Sequence, residues 1–465
     1  MKGWLPDLIY RDHRFETGVA MMVDDQGYID RFSTDPEDLR AAQRLPRRAL
    51  LPGLVNVHSH SFQRAIRART EHRTEASRDT FWTWREAMYH AANCLSPEDI
   101  YQVARMAFLE MLASGITTVG EFHYLHHAPD GTRYENPNLL AEQILCAAQE
   151  LGVRIALLRT AYVRAGFEKP PNPGQARFIT PDVDDFIADT DKLRIHIARS
   201  APAGYAWIGI APHSIRAVPL PYLLDTVKYA RPSGMKIHMH VAEQPAEIEA
   251  CLAEYGVRPI ALLHREGILD STFTGVHVIH VTQQEIGYLA AANARICACG
   301  TTERNLGDGI SPAERWIATN VGVCYGSDSN VQINLLEDAR QLEYHLRLEL
   351  LERAVLSPDT ERESLATGLF ANATQVGADS LGAPGGSLEE GRPADFFTVD
   401  LNDLSIAGAD QTSLLSHIVF SGEKTAIRDV YIGGLPRIQE GRHVLQDDIV
   451  QRFTEVQRRL WGKAS

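Results

Sequence analysis

The sequence predicts an α/β protein, a TIM (β/α)8 barrel accompanied by a small β-sandwich domain that both chain ends form. Eight apolar segments of strand character lie between residues 51 and 325, and helical segments separate most of them. Eight parallel strands alternating with helices is the strand count of a TIM barrel. The two chain ends share a different texture, with short strands and glycine turns. The 465 residues are enough for a barrel and a second, smaller domain.

The first residues are predicted to contribute strands to the sandwich. An apolar run at residues 19–23 and the pair Tyr28-Ile29 flank a turn at residues 24–27, which ends in glycine. This pattern is typical of two strands joined by a short connection. We therefore assign residues 1–51 to the sandwich domain and expect residues 383–465 to complete it.

The central part of the chain, residues 52–382, is predicted to form the barrel. Ser96 followed by Pro97 marks the start of one helix, because serine caps helices and proline suits their first position. Thr282 and Glu285 have the spacing of a capping box and mark the helix after the sixth strand. The predicted strands are the run that begins at residue 51 and the segments 116–120, 153–158, 207–211, 236–241, 275–279, 294–298 and 321–325.

The last part of the chain returns to the texture of its beginning. Helices are predicted at residues 335–351 and 361–376, and a glycine-rich segment follows at residues 382–387. Short strands are then predicted at residues 395–399 and 427–432. Because these strands resemble those of the N-terminal part, we expect both ends to join in one domain.

Composition argues against several classes of protein. The 46 basic and 60 acidic residues give a net charge of -14, which disfavours nucleic acid and anionic membranes as partners. No apolar run approaches the roughly 18 residues of a membrane span, and the N-terminus lacks the apolar region of a signal peptide. The six cysteines are scattered in apolar segments and are predicted to be reduced core residues. We therefore expect a cytoplasmic protein.

Histidine and aspartate residues recur where the predicted barrel strands end. His58 and His60 are one residue apart in a strand, so their side chains can share one face. Neutral imidazole is a preferred ligand of Zn²⁺, and three imidazoles with a carboxylate leave one coordination position open. Because barrel active sites lie at the C-terminal ends of strands, this recurrence predicts a catalytic metal site. Six of the eight ends carry such residues, among them His58, His60, His123, His213, His238, His240, His277, His280 and Asp328.

The pattern resembles the amidohydrolase superfamily, and within it the mononuclear zinc deaminases. The resemblance covers nearly the whole chain. It implies one Zn²⁺ per chain, with other divalent metals possible, bound by His58, His60, His240 and Asp328. The motifs that carry it are His58-x-His60, His240 with Glu243 three residues later, His277-x-x-His280, Gly326-Ser327-Asp328 and residues 386–395.

The same resemblance implies the catalytic roles. A bound Zn²⁺ lowers the pKa of water from about 16 to about 7, which makes hydroxide available at neutral pH. Asp328 and His277 are then expected to orient that water and to accept its proton. Ammonia leaves readily only once it is protonated, so Glu243 is expected to carry a proton to the leaving nitrogen.

A narrower resemblance connects the chain with formimidoylglutamate deiminases. These enzymes of histidine breakdown hydrolyse N-formimidoyl-L-glutamate to N-formyl-L-glutamate and ammonia. The resemblance rests on Phe62-Gln63-Arg64 and on residues 81–85, 121–127 and 213–216. The chain departs from some members at Asn330, where they have histidine. The resemblance implies a homodimer and a small dicarboxylate substrate, contacted by Gln63, Arg85, Tyr124, His213 and Arg216.

Two alternatives stay open at the level of sequence. One is a deaminase of the same superfamily that acts on an aminopurine, a pterin or a triazine-type heterocycle. A flat ring needs stacking and contacts to its edge, whereas Arg85 and Arg216 suit carboxylates. The other is a metal-free binding or scaffold protein on the same barrel, which metal analysis of the purified protein would distinguish from either enzyme.

Overall fold

A computed structural model describes residues 2–74 and 79–462. Met1, residues 463–465 of the predicted sandwich domain and residues 75–78 of the predicted barrel lie outside the described residues. Within them, no helix combines the length and the hydropathy that crossing a membrane requires. The chain begins with five strands, β1 (Lys2–Arg11), β2 (Arg14–Glu16), β3 (Ala20–Val23), β4 (Ile29–Ser33) and β5 (Gln43–Pro52).

Eight parallel strands then form a barrel, which confirms the predicted fold class. Each strand pairs with the next in chain order, and a parallel bridge between Ser59 and Asp328 joins the last strand to the first. The Asp328 N–H donates to the His58 carbonyl oxygen at 2.9 Å, and the His60 N–H donates to the Asp328 carbonyl oxygen at 2.9 Å. The barrel therefore closes at residues predicted to bind the metal. Its strands are β6 (Leu54–Ser59), β7 (Ile116–His123), β8 (Arg154–Ala161), β9 (Ala206–Pro212), β10 (Ile237–Val241), β11 (Phe273–His277), β12 (Arg295–Ala298) and β13 (Gly322–Tyr325).

The sixth barrel strand begins and ends two residues earlier than predicted. Strand β11 ends at His277, although the apolar run was expected to continue to residue 279. His277 and Val278 have φ values of 73° and 54°, in the left-handed region, so the extended backbone cannot continue through them. This turn sets His277 at the end of the strand, facing the barrel mouth.

The helices follow the predicted start signals. Ser96 and Thr282 each cap a helix through a capping box. The single helix expected at residues 361–376 is two helices, and between them the Ala373 carbonyl oxygen accepts a hydrogen bond from Val55 N–H of β6 at 2.8 Å. The helices are α1 (Pro36–Ala41), α2 (Phe81–Cys94), α3 (Pro97–Leu112), α4 (Leu139–Leu151), α5 (Val183–Ser200), α6 (Leu220–Ala230), α7 (Pro245–Tyr255), α8 (Pro259–Arg265), α9 (Gln283–Ala291), α10 (Gly300–Leu306), α11 (Ala313–Ala318), α12 (Leu335–Leu350), α13 (Ser364–Asn372), α14 (Gln375–Leu381), α15 (Leu414–Phe420) and α16 (Gln446–Trp461).

The two chain ends form a second sheet, as predicted. Its C-terminal strands are β14 (Phe396–Asp400), β15 (Ile427–Ile432) and β16 (Leu435–Ile438). The strand order is β16-β15-β14-β5-β1-β3-β4, and β2 pairs with β1. The sheet encloses a small core of its own, in which the ring of Trp4 lies 5.2 Å from that of Phe396 and 5.4 Å from that of Tyr431. The boundaries at residues 51 and 383 stay predictions.

Gly53 connects the two sheets. It is the only residue between β5 and β6, and its N–H donates to the Asp395 carbonyl oxygen at 3.0 Å. A side chain here would place its Cβ 2.2 Å from Thr117 Oγ1, so only glycine fits. This short link fixes the start of the strand that carries His58.

Candidate active site

Four side chains converge at the C-terminal end of the barrel. His58 lies in β6, His60 directly after it, and His240 in β10. The three Nε2 atoms lie 3.1 Å, 3.2 Å and 3.3 Å from one another. Asp328 Oδ1 lies 3.3 Å from His58 Nε2 and 3.2 Å from His60 Nε2. The four residues predicted as metal ligands therefore form one cluster, and all four are buried.

Hydrogen bonds fix which nitrogen faces the cluster in two of the three imidazoles. His60 Nδ1 lies 2.9 Å from the Phe122 carbonyl oxygen, and His240 Nδ1 lies 3.1 Å from the His213 carbonyl oxygen. A carbonyl oxygen only accepts, so each Nδ1 carries the proton and each Nε2 presents a lone pair. Burial lowers the pKa of His58 to about 4 and lowers the pKa of His240 well below its ordinary value, so both rings are neutral.

Unprotonated nitrogen atoms at this distance fit around a cation. The lone pairs of His60 Nε2 and His240 Nε2, 3.3 Å apart, cannot hydrogen-bond to each other. Ligands placed tetrahedrally around Zn²⁺ at about 2.05 Å would lie about 3.3 Å from one another, which matches the observed spacing. Zn²⁺ can also expand to five ligands, so three nitrogen donors and one carboxylate oxygen leave room for a water. The residues present therefore fit a catalytic divalent metal.

Asn330 ties the ends of β6 and β13 together. Its Nδ2 donates to Ser59 Oγ at 3.1 Å and to the His60 carbonyl oxygen at 3.0 Å. Its Oδ1 accepts from Ser327 Oγ at 2.7 Å. The departure noted at this position therefore leaves the two ligand-bearing segments connected by hydrogen bonds.

His277 and Glu243 lie next to the cluster. His277 Nε2 is 3.6 Å from Glu243 Oε1 and 3.8 Å from Asp328 Oδ2. Glu243 reaches this position because β10 ends at Val241 and Ala242 has a φ of 55°, which turns the chain. Burial raises the pKa of Glu243, which favours a carboxyl group that takes up and releases a proton during the reaction.

The sequence analysis missed two acidic residues beside this pair. Glu303, in α10 after the seventh barrel strand, has Oε1 at 3.2 Å from His277 Nδ1 and accepts from Ser311 Oγ at 2.9 Å. It therefore holds the His277 ring in place. Burial, followed by the charge of Glu243, raises the pKa of Asp308 to about 9. Glu303 was not predicted because the seventh strand ends without histidine or aspartate, and Glu303 lies four residues beyond Cys299.

Two arginines form the outer wall of the pocket. Trp82, Arg85 and Tyr89 occupy one face of α2, and the Arg85 guanidinium carbon lies 5.5 Å from the Trp82 ring centre and 5.1 Å from that of Tyr89. Arg216, in the loop after β9, lies over the same Trp82 ring at 5.5 Å. Both arginines line the pocket, as do all the other predicted site residues except His58. The residues that line the pocket are His60, Gln63, Phe81, Trp84, Arg85, Met88, Tyr124, His213, Arg216, His240, Glu243, His277, Leu306 and Asp328.

Neither guanidinium group has an ion-pair partner among the described residues. Arg85 donates to the hydroxyl of Tyr162 at 2.8 Å, and Arg216 Nε is buried without a hydrogen-bond partner. Among the described residues, no carboxylate oxygen lies within 4.0 Å of either group. Burial, and then the neighbouring charge of Arg85, lowers the pKa of Arg216. Two uncompensated cations at one pocket favour a ligand with two negative charges.

The remaining predicted substrate contacts line the same pocket. Gln63 Nε2 donates to the Tyr124 hydroxyl at 2.8 Å, and Gln63 Oε1 is buried without a partner. His213 packs beside the ligand His240, with ring centres 4.8 Å apart, and its Nδ1 lies 3.1 Å from Ser214 Oγ. These polar atoms surround the space next to the metal ligands.

The other strand-end histidines lie outside the cluster. His238 Nε2 is 3.2 Å from the Ser380 carbonyl oxygen, and His280 Nε2 is 2.9 Å from the Asp308 carbonyl oxygen. His126 Nε2 is 2.8 Å from the Thr160 carbonyl oxygen. These rings have main-chain partners and do not line the pocket. Of the two histidines of the His277-x-x-His280 motif, His277 lines the pocket.

Comparison with known proteins agrees with the geometry. The chain is 38% identical over 409 residues to formimidoylglutamate deiminase of Pseudomonas aeruginosa, covering 88% of each chain. It superimposes on the crystal structure of an amidohydrolase from Brucella melitensis with a TM-score of 0.89 at 32% identity, covering 99% of this chain and 100% of that one. An adenosine deaminase from Xanthomonas campestris with bound zinc shares the fold, with a TM-score of 0.82 at 22% identity over 98% of each chain.

The family assignment rests on the larger part of the chain. The model of the amidohydrolase family matches residues 49–436, which include the whole barrel and every residue of the candidate site. With its cluster of three histidines and one aspartate, the protein belongs to the metal-dependent amidohydrolase family.

Proposed function

We propose that this enzyme hydrolyses N-formimidoyl-L-glutamate to N-formyl-L-glutamate and ammonia in histidine breakdown. Water adds its oxygen to the formimidoyl carbon, the bond from that carbon to the terminal nitrogen breaks, and the nitrogen leaves as ammonia. The observation that carries the proposal is the pair of uncompensated guanidinium groups, Arg85 and Arg216, in the same pocket as the metal ligands. The 38% identity to the enzyme from Pseudomonas aeruginosa supports it.

The arginines are proposed to hold the two carboxylates of the substrate. Arg85 is buried, and both guanidinium carbons lie 5.5 Å from the centre of the Trp82 ring, so the same ring supports the two forks. Each guanidinium group can bind a carboxylate with two parallel hydrogen bonds. With both carboxylates at the outer wall, the formimidoyl group extends toward His240 and Asp328. Gln63, Tyr124 and His213 are proposed to orient it.

We propose zinc as the metal, one per chain. Zn²⁺ bound by His58, His60, His240 and Asp328 supplies a Lewis acid that lowers the pKa of water to about 7. His277 and Asp328 are proposed to hold the attacking water and to accept its proton. Glu243, with Oε1 3.6 Å from His277 Nε2, is proposed to deliver a proton to the departing nitrogen. A homodimer and a cytoplasmic location stay predictions.

A heterocyclic substrate fits this pocket less well. A flat purine, pterin or triazine carries no pair of carboxylates, so it would leave both guanidinium groups without a direct ion-pair partner. Leaving a buried charge unpaired is strongly unfavourable.

Ammonia release from three substrates tests the proposal. Purified enzyme should release ammonia from N-formimidoyl-L-glutamate at a kcat/KM far above that for guanine or adenosine. A metal-free sample should release none until Zn²⁺ is added. Preference for either purine would refute the proposed substrate, and full activity without metal would refute the proposed mechanism.

A further inference from the structure

A second group of metal-binding atoms lies beside the first. His277, Cys299 and Asp328 each offer one ligand atom within 4.8 Å of the other two, and all three residues are buried. His277 Nε2 has no hydrogen-bond partner among the described residues. Asp328 uses Oδ1 toward the histidine cluster, whereas its Oδ2 lies 3.8 Å from His277 Nε2. The two carboxylate oxygens of Asp328 thus face different groups of ligand atoms, one the histidine cluster and the other His277.

The Cys299 thiol is not engaged in any strong interaction. Its Sγ lies 3.9 Å from Cys297 Sγ and 3.9 Å from the Cys297 carbonyl oxygen, both at the weak limit for sulfur. Cys297 was predicted, with Cys299, to serve only core packing. A buried thiol beside an unpartnered imidazole nitrogen and a carboxylate oxygen offers sulfur, nitrogen and oxygen donors together.

We propose that His277, Cys299 and Asp328 form a second binding site for a thiophilic divalent cation such as Zn²⁺ or Cd²⁺, and that its occupation inhibits the enzyme. Thiolate and imidazole ligands favour these ions over Mg²⁺ or Ca²⁺, which prefer oxygen. The inhibitory part of the proposal rests on the proposed function, because His277 and Asp328 are there assigned to the attacking water. A cation bound to both residues would prevent them from holding the attacking water and accepting its proton.

The second site is expected to be weaker than the first. It offers three protein ligands in place of four, and the thiol must release its proton to solvent before it can bind a metal. Two dications that share one carboxylate also repel each other. Enzyme with one tightly bound metal should therefore be active, and only added free metal should fill the second site.

Metal titration of the zinc-loaded enzyme tests the site without using a substrate. After removal of excess metal, Cd²⁺ is added stepwise, bound metal per chain is measured by equilibrium dialysis, and the ultraviolet cadmium–thiolate charge-transfer band is followed. We expect a second equivalent to bind together with growth of this band. Deiminase activity, measured in parallel with Zn²⁺ and with Cd²⁺, should fall as the second site fills and return when a mild chelator is added.

Variants of Cys299 separate this site from other thiols. Cys299→Ser and Cys299→Ala should remove most of the charge-transfer band and raise the inhibitory metal concentration at least about tenfold, the lower range for a change in a metal's surroundings. Cys324→Ser is the matched control, because Cys324 is also buried, on the neighbouring strand β13, and belongs to neither group of ligands. It should behave as wild type.

Each result decides part of the proposal. A band that persists in both Cys299 variants, or wild-type enzyme that binds no second equivalent, would overturn the site. Metal binding at Cys299 without loss of activity would refute the proposed inhibition but would support the proposed metal site. If neither variant folds, cadmium NMR of the wild-type enzyme replaces them, and a resonance without sulfur coordination would refute the site. Inactivity toward formimidoylglutamate would refute the proposed function and leave the metal count unaffected.

Discussion

Replacing one of the two arginines should weaken substrate binding without changing the metal site. In Arg216→Met and Arg85→Met the side chain keeps a similar apolar length but loses the guanidinium fork. Removing one partner of a buried charge pair costs about 2–5 kcal/mol, and every 1.4 kcal/mol corresponds to about tenfold. The expected losses in kcat/KM therefore range from about 30-fold to a few thousand-fold.

How far each arginine is shielded from water decides where its expected loss in kcat/KM lies within that range. Arg85 is only 8% exposed and packs against the rings of Trp82 and Tyr89, which leaves less room for water than at Arg216, so its loss should lie near the upper end. Arg216 is partly exposed, and both arginines border an outer cavity of about 890 Å³. Water can enter at Arg216, so its loss should lie near the lower end. The change should appear mainly in KM if the arginine binds ground and transition states alike.

Substrate monoamides make this prediction specific. Amidating either carboxylate should harm the wild-type enzyme about as much as removing the arginine that binds it. In Arg216→Met, one of the two monoamides should then be turned over as well as the diacid, because its missing charge has no partner left. Arg231→Met, which removes an arginine paired with Asp270 at 2.9 Å, serves as the control and should leave both kcat/KM and zinc content unchanged. Equal turnover of the diacid and both monoamides by wild-type enzyme would refute the dicarboxylate assignment.

Four further predictions concern the metal, the proton carrier, its neighbour and the stability of the fold. Active enzyme should contain about one Zn²⁺ per chain, and chelation should remove metal and activity together; two tightly held ions in a fully active sample would contradict the assigned ligands. Glu243→Gln keeps the size of the side chain but cannot relay a proton, so kcat should fall by about 10²–10⁴-fold with normal metal content. The control Glu249→Gln, an exposed change on α7, should have no effect. Activity of Glu243→Gln within tenfold of wild type would disprove the role of Glu243. Glu303→Gln should lower kcat by about 10- to 100-fold with KM and metal content unchanged, because the hydrogen bond that orients His277 is weakened. A change confined to KM would show that Glu303 does not act through His277. Burial raises the pKa of Asp338 from 3.8 to about 8, so the folded protein holds a proton that the unfolded chain releases, and this stabilising contribution is lost as pH rises through about 8. The thermal midpoint of Asp338→Asn relative to wild type should therefore increase between about pH 4 and pH 8 in calorimetry, and a constant difference would contradict the raised pKa.

Local sequence patterns were sufficient for the elements that frame the site. The capping boxes at Ser96 and Thr282 depend on residues three apart, and both are found where predicted. The pattern was insufficient at His277, where apolar residues continue for two positions but the backbone turns. Hydrophobic character shows that a segment is buried, whereas φ depends on what the segment packs against. The strand end was therefore misplaced although the site histidine was identified.

The sequence by itself determined the barrel, the joined chain ends and the types of metal ligand. This was possible because parallel barrel strands present their C-terminal ends at one face, so residues far apart in the chain but alike in strand position must meet there. Only the tertiary structure decided the spacing of the Nε2 atoms, the contact of Glu303 with His277, the approach of Arg85 and Arg216 to the same Trp82 ring, and the approach of Cys299 to Asp328. These contacts join loops and helices whose paths no local pattern specifies, since each is set by the packing of the closed barrel.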